Sequence, residues 1–120
     1  MQLTKEQVLN LLGNELDEAV ALAQEWHKDD DAQAKGYKAW YNNENLSVNL
    51  VVTYKPSTDG SQCMEIMERE SVNCYHQGLI MPPQWKACIL NYTAYGETAM
   101  IAICRCFVLS KLDLINNARV

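Results

Sequence analysis

Residues Gly96–Leu112 read GETAMIAICRCFVLSKL, the most apolar run in the chain. Its length suits a helix rather than a strand. Thr98 stands where its hydroxyl can accept a hydrogen bond from a free amide of the first turn. Met100, Ile101, Ile103, Cys104, Phe107, Val108, Leu109 and Leu112 then cover most of the helix circumference. Arg105, Ser110 and Lys111 are the plain polar exceptions, and Lys111 falls in the last turn, where a cation suits the dipole. A helix apolar nearly all round is a buried helix, and this one is too short to cross a bilayer. Something broad has to cover it, and a sheet is the natural cover.

The segments upstream supply that cover. Thr4-Lys5-Glu6-Gln7 has capping-box spacing and opens a short amphipathic turn, Val8–Leu12. Asn14 is placed to cap a second helix, Glu15–Trp26, whose Leu16, Ala19, Val20, Ala23 and Trp26 recur at helical spacing. His27–Gly36 reads as a charged loop, and Tyr37–Tyr41 as an extended aromatic segment. Leu46, Val48, Leu50, Val52 and Tyr54 alternate with more polar residues, which predicts a strand with one buried face. Pro56 stops it, and Ser57, Thr58 or Asp59 caps a helix over Gly60–Glu70. Strands are predicted over Ser71–Leu79 and Gln84–Tyr92, followed by a turn at Thr93–Gly96 and, after Leu112, a fraying tail. The order helix, strands, helix, strands, helix predicts an α+β fold with an antiparallel sheet sandwiched by helices, in a single domain over residues 1–120.

Composition narrows the class. A chain of 120 residues buries about two thirds of its unfolded surface, so no disulfide or metal staple is needed. The start, MQLTKEQV, lacks the basic-then-apolar pattern of a signal peptide, so a cytosolic protein is expected. Cys63, Cys74, Cys88, Cys104 and Cys106 are odd in number and show no CxxC pair, which suits small, reduced core residues. The net charge of −5 is uneven: residues 1–31 hold eight acids against Lys5 and Lys28. No basic stripe exists, so direct nonspecific nucleic-acid binding is not expected. An acidic end instead suits a basic protein surface.

Tyr54-Lys55-Pro56-Ser57-Thr58-Asp59 followed by Ile66-Met67-Glu68-Arg69-Glu70 resembles the YSPSTDW…IIERE signature of the NinX-like proteins of lambdoid phages. Trp85-Lys86-Ala87 is similar to the family's W-x-A strand. Gly96–Leu112 is similar to its closing run, and Glu15–Val20 to its opening helix. Phage ABA-sandwich domains share some of these pieces. The resemblance spans about half the chain and implies a phage or prophage accessory protein with helices on a sheet. It carries no established activity. Gly60 stands where the family often has tryptophan, and the acidic loop His27–Lys35 is a second departure.

No catalytic motif appears. His27 and His76 are the only histidines, and Cys74 and His76 lack two further ligands at zinc spacing. Asp29-Asp30-Asp31 lacks the glycine and glutamate of a calcium loop. No cofactor or metal is therefore expected. The leading expectation is a non-catalytic accessory protein that binds a host or phage protein, with an anti-defence inhibitor as the sharper form. Its contact residues are Asp29, Asp30 and Asp31 for charge, with Trp40 and Tyr41 as aromatic anchors. The alternative is a nucleotide or small-anion sponge or sensor using Tyr54, Ser57, Thr58, Asp59 and Arg105 at a helix N-terminus. A small hydrolase ranks last. No membrane contact is expected, and homo-oligomerisation is left open.

Overall fold

A computed structural model describes residues 2–28, 39–44, 46–78 and 84–118. In chain order its elements are α1 (Lys5–Val8), α2 (Gly13–Ala23), β1 (His27–Lys28), β2 (Ala39–Tyr41), β3 (Ser47–Leu50), α3 (Gly60–Glu70), β4 (Asn73–Gln77), β5 (Gln84–Ile89), β6 (Tyr92–Gly96), α4 (Ala99–Ser110) and α5 (Leu112–Ala118). The fold is α+β, with helices and strands interleaved and every strand pair antiparallel. The strands form two sheets rather than one, ordered β1-β2-β3 and β4-β5-β6.

Helix α4 takes up Ala99–Ser110 of the run GETAMIAICRCFVLSKL, with Gly96 closing β6 and Leu112 opening α5. Thr98 caps it, its hydroxyl accepting from the Ile101 amide at 3.1 Å. Ala102, Ile103, Cys104, Cys106, Phe107, Val108 and Leu109 are all buried. One flank packs on the sheet β4-β5-β6, and the other on α1, α2 and α3. The tight step from β6 into α4 depends on Gly96, where a Cβ would sit 2.7 Å from the Ala102 amide nitrogen. That is closer than real side chains come, so any larger residue must push the helix off the sheet.

The amphipathic reading of α3 matches the structure, whereas the turn expected over Val8–Leu12 is displaced: the capping box opens a helix that ends at Val8. Thr4 and Gln7 form the reciprocal capping box, and Asp59 caps α3 by accepting from the Gln62 amide at 3.0 Å. Four further expectations need correction. Helix α2 starts at Gly13, with Leu12 at the N-cap and no side-chain cap, so Asn14 lies inside the helix. The strand expected over Leu46–Tyr54 is confined to Ser47–Leu50, and Leu46, Val48, Leu50 and Val52 are exposed. Register explains the reversal: β3 is an edge strand, and Asn49 rather than Val48 stands opposite buried Trp40. The segment taken as a turn, Thr93–Gly96, belongs to β6, and the reversal sits at Leu90-Asn91. Leu90 has φ +53° and is 94 % exposed, so an apolar residue marks a hairpin tip where Gly or Asn is usual. Finally, the residues after Leu112 form α5, with Ile115 fully buried. Asn116 fastens it to the N-terminal segment: its Nδ2 donates to the Leu3 carbonyl and its Oδ1 accepts from the Leu3 amide, both at 2.9 Å.

Phe107 is the largest fully buried side chain and also sits 5.7 Å beneath the Arg69 guanidinium. Phe107→Ala is expected to cost about 3–5 kcal/mol in urea unfolding at unchanged slope. A loss below about 1 kcal/mol would show that α4 is not the centre of the core.

Candidate functional site

The N-terminal helices enclose a groove. Helix α1 ends at Val8, the chain turns through Asn10–Leu12, and Gly13 takes φ +57° to start α2 at an angle. Leu3, Leu11 and Ala19 line the groove from below, each buried, while Gln7 and Asn10 stand on one wall. Glu15 and Glu18, both exposed and one turn apart on α2, complete the lining of a space of about 430 Å³. No lysine or arginine is among the lining residues. The groove therefore pairs an apolar floor with a negative rim.

Glu18 also faces a second cleft, of about 260 Å³, lined by Asp17, Lys28, Trp40, Tyr54 and Lys55 among others. Here Lys28 Nζ lies 3.5 Å from Glu18 Oε1 and 5.2 Å from the centroid of the Trp40 ring. Asp17 is buried, and its Oδ1 accepts from the Ser57 amide at 2.9 Å. A carboxylate on α2 thus holds the turn that precedes α3. The Tyr54 hydroxyl accepts from Gln24 Nε2 at 2.7 Å, and its ring lies 4.8 Å from that of Trp26. Burial pushes the Tyr54 phenol up to about 12, against an opposing pull from the Gln24 bond.

The residues singled out in the sequence are dispersed by this geometry. Asp29, Asp30 and Asp31 lie outside the described residues. Trp40 is 2 % exposed, so it is a core residue and not a surface anchor; an indole in the second position of a three-residue strand is covered by the layer behind it. Tyr41 is half-buried, with its ring stacked 6.1 Å from His27. Around the Tyr54–Asp59 turn, Tyr54 and Ser57 are buried, Asp59 serves as the α3 cap, and Thr58 Oγ1 reaches the Lys55 carbonyl at 3.4 Å. Arg105 bonds elsewhere. Its Nε donates to the Leu11 carbonyl at 2.9 Å and its Nη1 to the Tyr95 carbonyl at 2.8 Å. These two bonds tie the α1–α2 turn to β6. Partial burial pulls this guanidinium below its ordinary range, with Glu97 opposing the shift. Among the described residues, no group of three or more His, Cys, Asp or Glu side chains is placed to hold a metal.

Glu15, Glu18 and Asp17 were not singled out by sequence reasoning. For Asp17 a signal existed: it stands beside Leu16 and one turn before Ala21, on the buried side of α2. A carboxylate there needs a donor, and the Ser57 amide is that donor. For the groove no local signal existed, because it arises where two separately legible helices meet.

The family model described as bacteriophage P22 NinX matches residues 7–111. The chain belongs to the NinX family of bacteriophage proteins. No curated protein matches it. The matched span includes α2 with Glu15 and Glu18, the Tyr54–Asp59 turn, and all of α4. No helix among the described residues of this NinX-family chain is long and apolar enough to cross a membrane.

Two measurements follow from these contacts. Arg105→Met should lower stability by about 2–3 kcal/mol in urea unfolding, because it leaves two carbonyls without their charged donor. The Tyr54 phenol has a native value above its unfolded one, so its contribution is complete below about pH 10 and is lost as pH rises toward 12. Melting followed between those limits should therefore fall less steeply in Tyr54→Phe than in the wild type.

Proposed function

We propose that this phage protein is a non-catalytic accessory factor that works in the host cytoplasm by binding a protein partner at the α1–α2 groove. The observation that carries the reading is the groove's composition: a buried apolar floor of Leu3, Leu11 and Ala19 beneath an acidic rim of Glu15 and Glu18. An apolar floor takes up the anchor side chains of a partner segment, and a negative rim favours one flanked by lysine or arginine. The surplus of acids over residues 1–31 extends the same field and steers a basic partner toward this end. A basic, nucleic-acid-binding component of host defence is the partner class that this chemistry and the phage family suit together.

The sponge or sensor alternative at the Tyr54–Asp59 turn finds less support. A helix N-terminus binds an anion through free amides. Here the Ser57 amide is taken by Asp17, the Gln62 amide by Asp59, and the Arg105 guanidinium by two carbonyls outside the turn.

The test uses Glu15→Gln combined with Glu18→Gln. The Glu18–Lys28 pair is exposed, so its loss should change stability by less than about 1 kcal/mol. Proteins captured from phage-infected host lysate by wild type but not by the variant are identified by mass spectrometry, purified, and measured by stopped-flow. The variant is expected to associate about threefold to tenfold more slowly at low salt, with a flatter salt dependence. Equal association rates at low salt would refute the groove as the contact.

A further inference from the structure

The sheet β4-β5-β6 has two faces of different character. The inner one presents Cys74, Trp85, Ala87, Ile89 and Ala94 toward α4. The outer one crosses the three strands in a single row: Tyr75 pairs with Lys86, and Lys86 pairs with Tyr95. Tyr75 is 47 % exposed and Tyr95 38 % exposed. Lys86 Nζ lies 5.8 Å from the centroid of the Tyr75 ring. The neighbouring outward positions are Asn73, Cys88 and Thr93 on one side of this row, with Gln77 and Gln84 on the other. No carboxylate stands among these eight positions, although exposed Glu97, two residues past Tyr95, borders them.

We propose that this face binds a short single-stranded nucleic acid, with bases stacked on Tyr75 and Tyr95 and the phosphate between them on Lys86. Neighbouring strands are about 4.8 Å apart, so the Tyr75 and Tyr95 backbones stand about 10 Å apart with the Lys86 strand between them. That spacing suits two splayed bases joined through a backbone that passes over the lysine. Rings on a sheet surface give the stacking that single-strand readers use, and it tolerates any base. The flanking amides of Asn73 and Gln84 offer donors and acceptors to base edges. Lys86 meets the phosphate with one cation, and the acidic N-terminal end together with Glu97 keeps the contact short. Duplex DNA is excluded, because tracking its backbone needs a basic stripe that the chain lacks. Composition argues against binding carried by a basic stripe, and this contact is carried by stacking instead.

The full chain is titrated against fluorescein-labelled oligo-dT and oligo-rU of about eight nucleotides and a duplex of similar length, at low salt, by fluorescence anisotropy. Both single strands should bind in preference to the duplex, and the tighter of the two tells whether DNA or RNA is favoured. Tyr75→Leu and Tyr95→Leu keep apolar bulk but remove the rings, and each should weaken binding at least about fivefold. Tyr75→Phe and Tyr95→Phe should retain it. Lys86→Gln should weaken binding and lower the slope of log affinity against log salt by about 0.7. Glu15→Gln with Glu18→Gln should leave binding undiminished, which separates this site from the groove. Wild type that binds neither single strand at about 100 μM protein, or leucine variants that melt and bind like wild type, would overturn the proposal.

Discussion

A helix without a polar face cannot lie on a surface. Helix α4 has Ala102, Cys104, Cys106 and Val108 with no exposure at all, on different sides of its circumference. It must therefore be covered on both flanks, and that one requirement places nearly everything else. The sheet β4-β5-β6 covers one flank, and α1, α2 and α3 cover the other. Small residues at Ala102, Cys104 and Cys106 let those layers approach closely, as does Gly96 where the chain enters the helix. The single strongly polar residue within α4, Arg105, is accommodated by reaching two backbone carbonyls at the edge of the packed layers. The groove and the outer sheet face lie on opposite covers of this helix, and Arg105 is bonded to both covers.

What was legible in the sequence is what short-range physics decides. Caps at Thr4, Asp59 and Thr98 were readable because a side-chain oxygen three residues before an amide has few other uses. The burial of α4 was readable because Arg105 is the one strongly polar residue from Met100 to Leu109. The misread places are those where tertiary context overrides a local pattern. Alternation over Leu46–Tyr54 promised a buried apolar face, yet the strand is at a sheet edge and Asn49 takes the inward place. Leu90 read as a strand residue because it is apolar, while the hairpin needed a reversal at that point and took it with a positive φ.

The candidate site was less legible than the fold for the same reason. Trp40 read as an anchor because aromatic residues suit both cores and interfaces, and only packing separates the two. Arg105 read as a ligand-binding group at the Tyr54–Asp59 turn, whereas backbone carbonyls from residues far apart in sequence hold it elsewhere. The Tyr75–Lys86–Tyr95 row joins three strands, so no spacing along the chain reveals it.

The cysteines have a consequence for how the molecule can be watched. Cys104 and Cys106 are sealed within α4, and Cys74 and Cys88 are only half-buried. Burial pushes the Cys106 thiol up to about 11, and the Cys63 hydrogen bond together with burial holds Cys104 well above the usual thiol range. A thiol reagent needs both access and a thiolate. The inner pair are thus shielded twice, first by walls and then by chemistry. Alkylation of Cys88, on the outer sheet face, marks the folded chain, while alkylation of Cys106 reports that the layers around α4 have come apart. The chain carries its own graded clock of opening, wound from residues whose everyday work is simply to fill space.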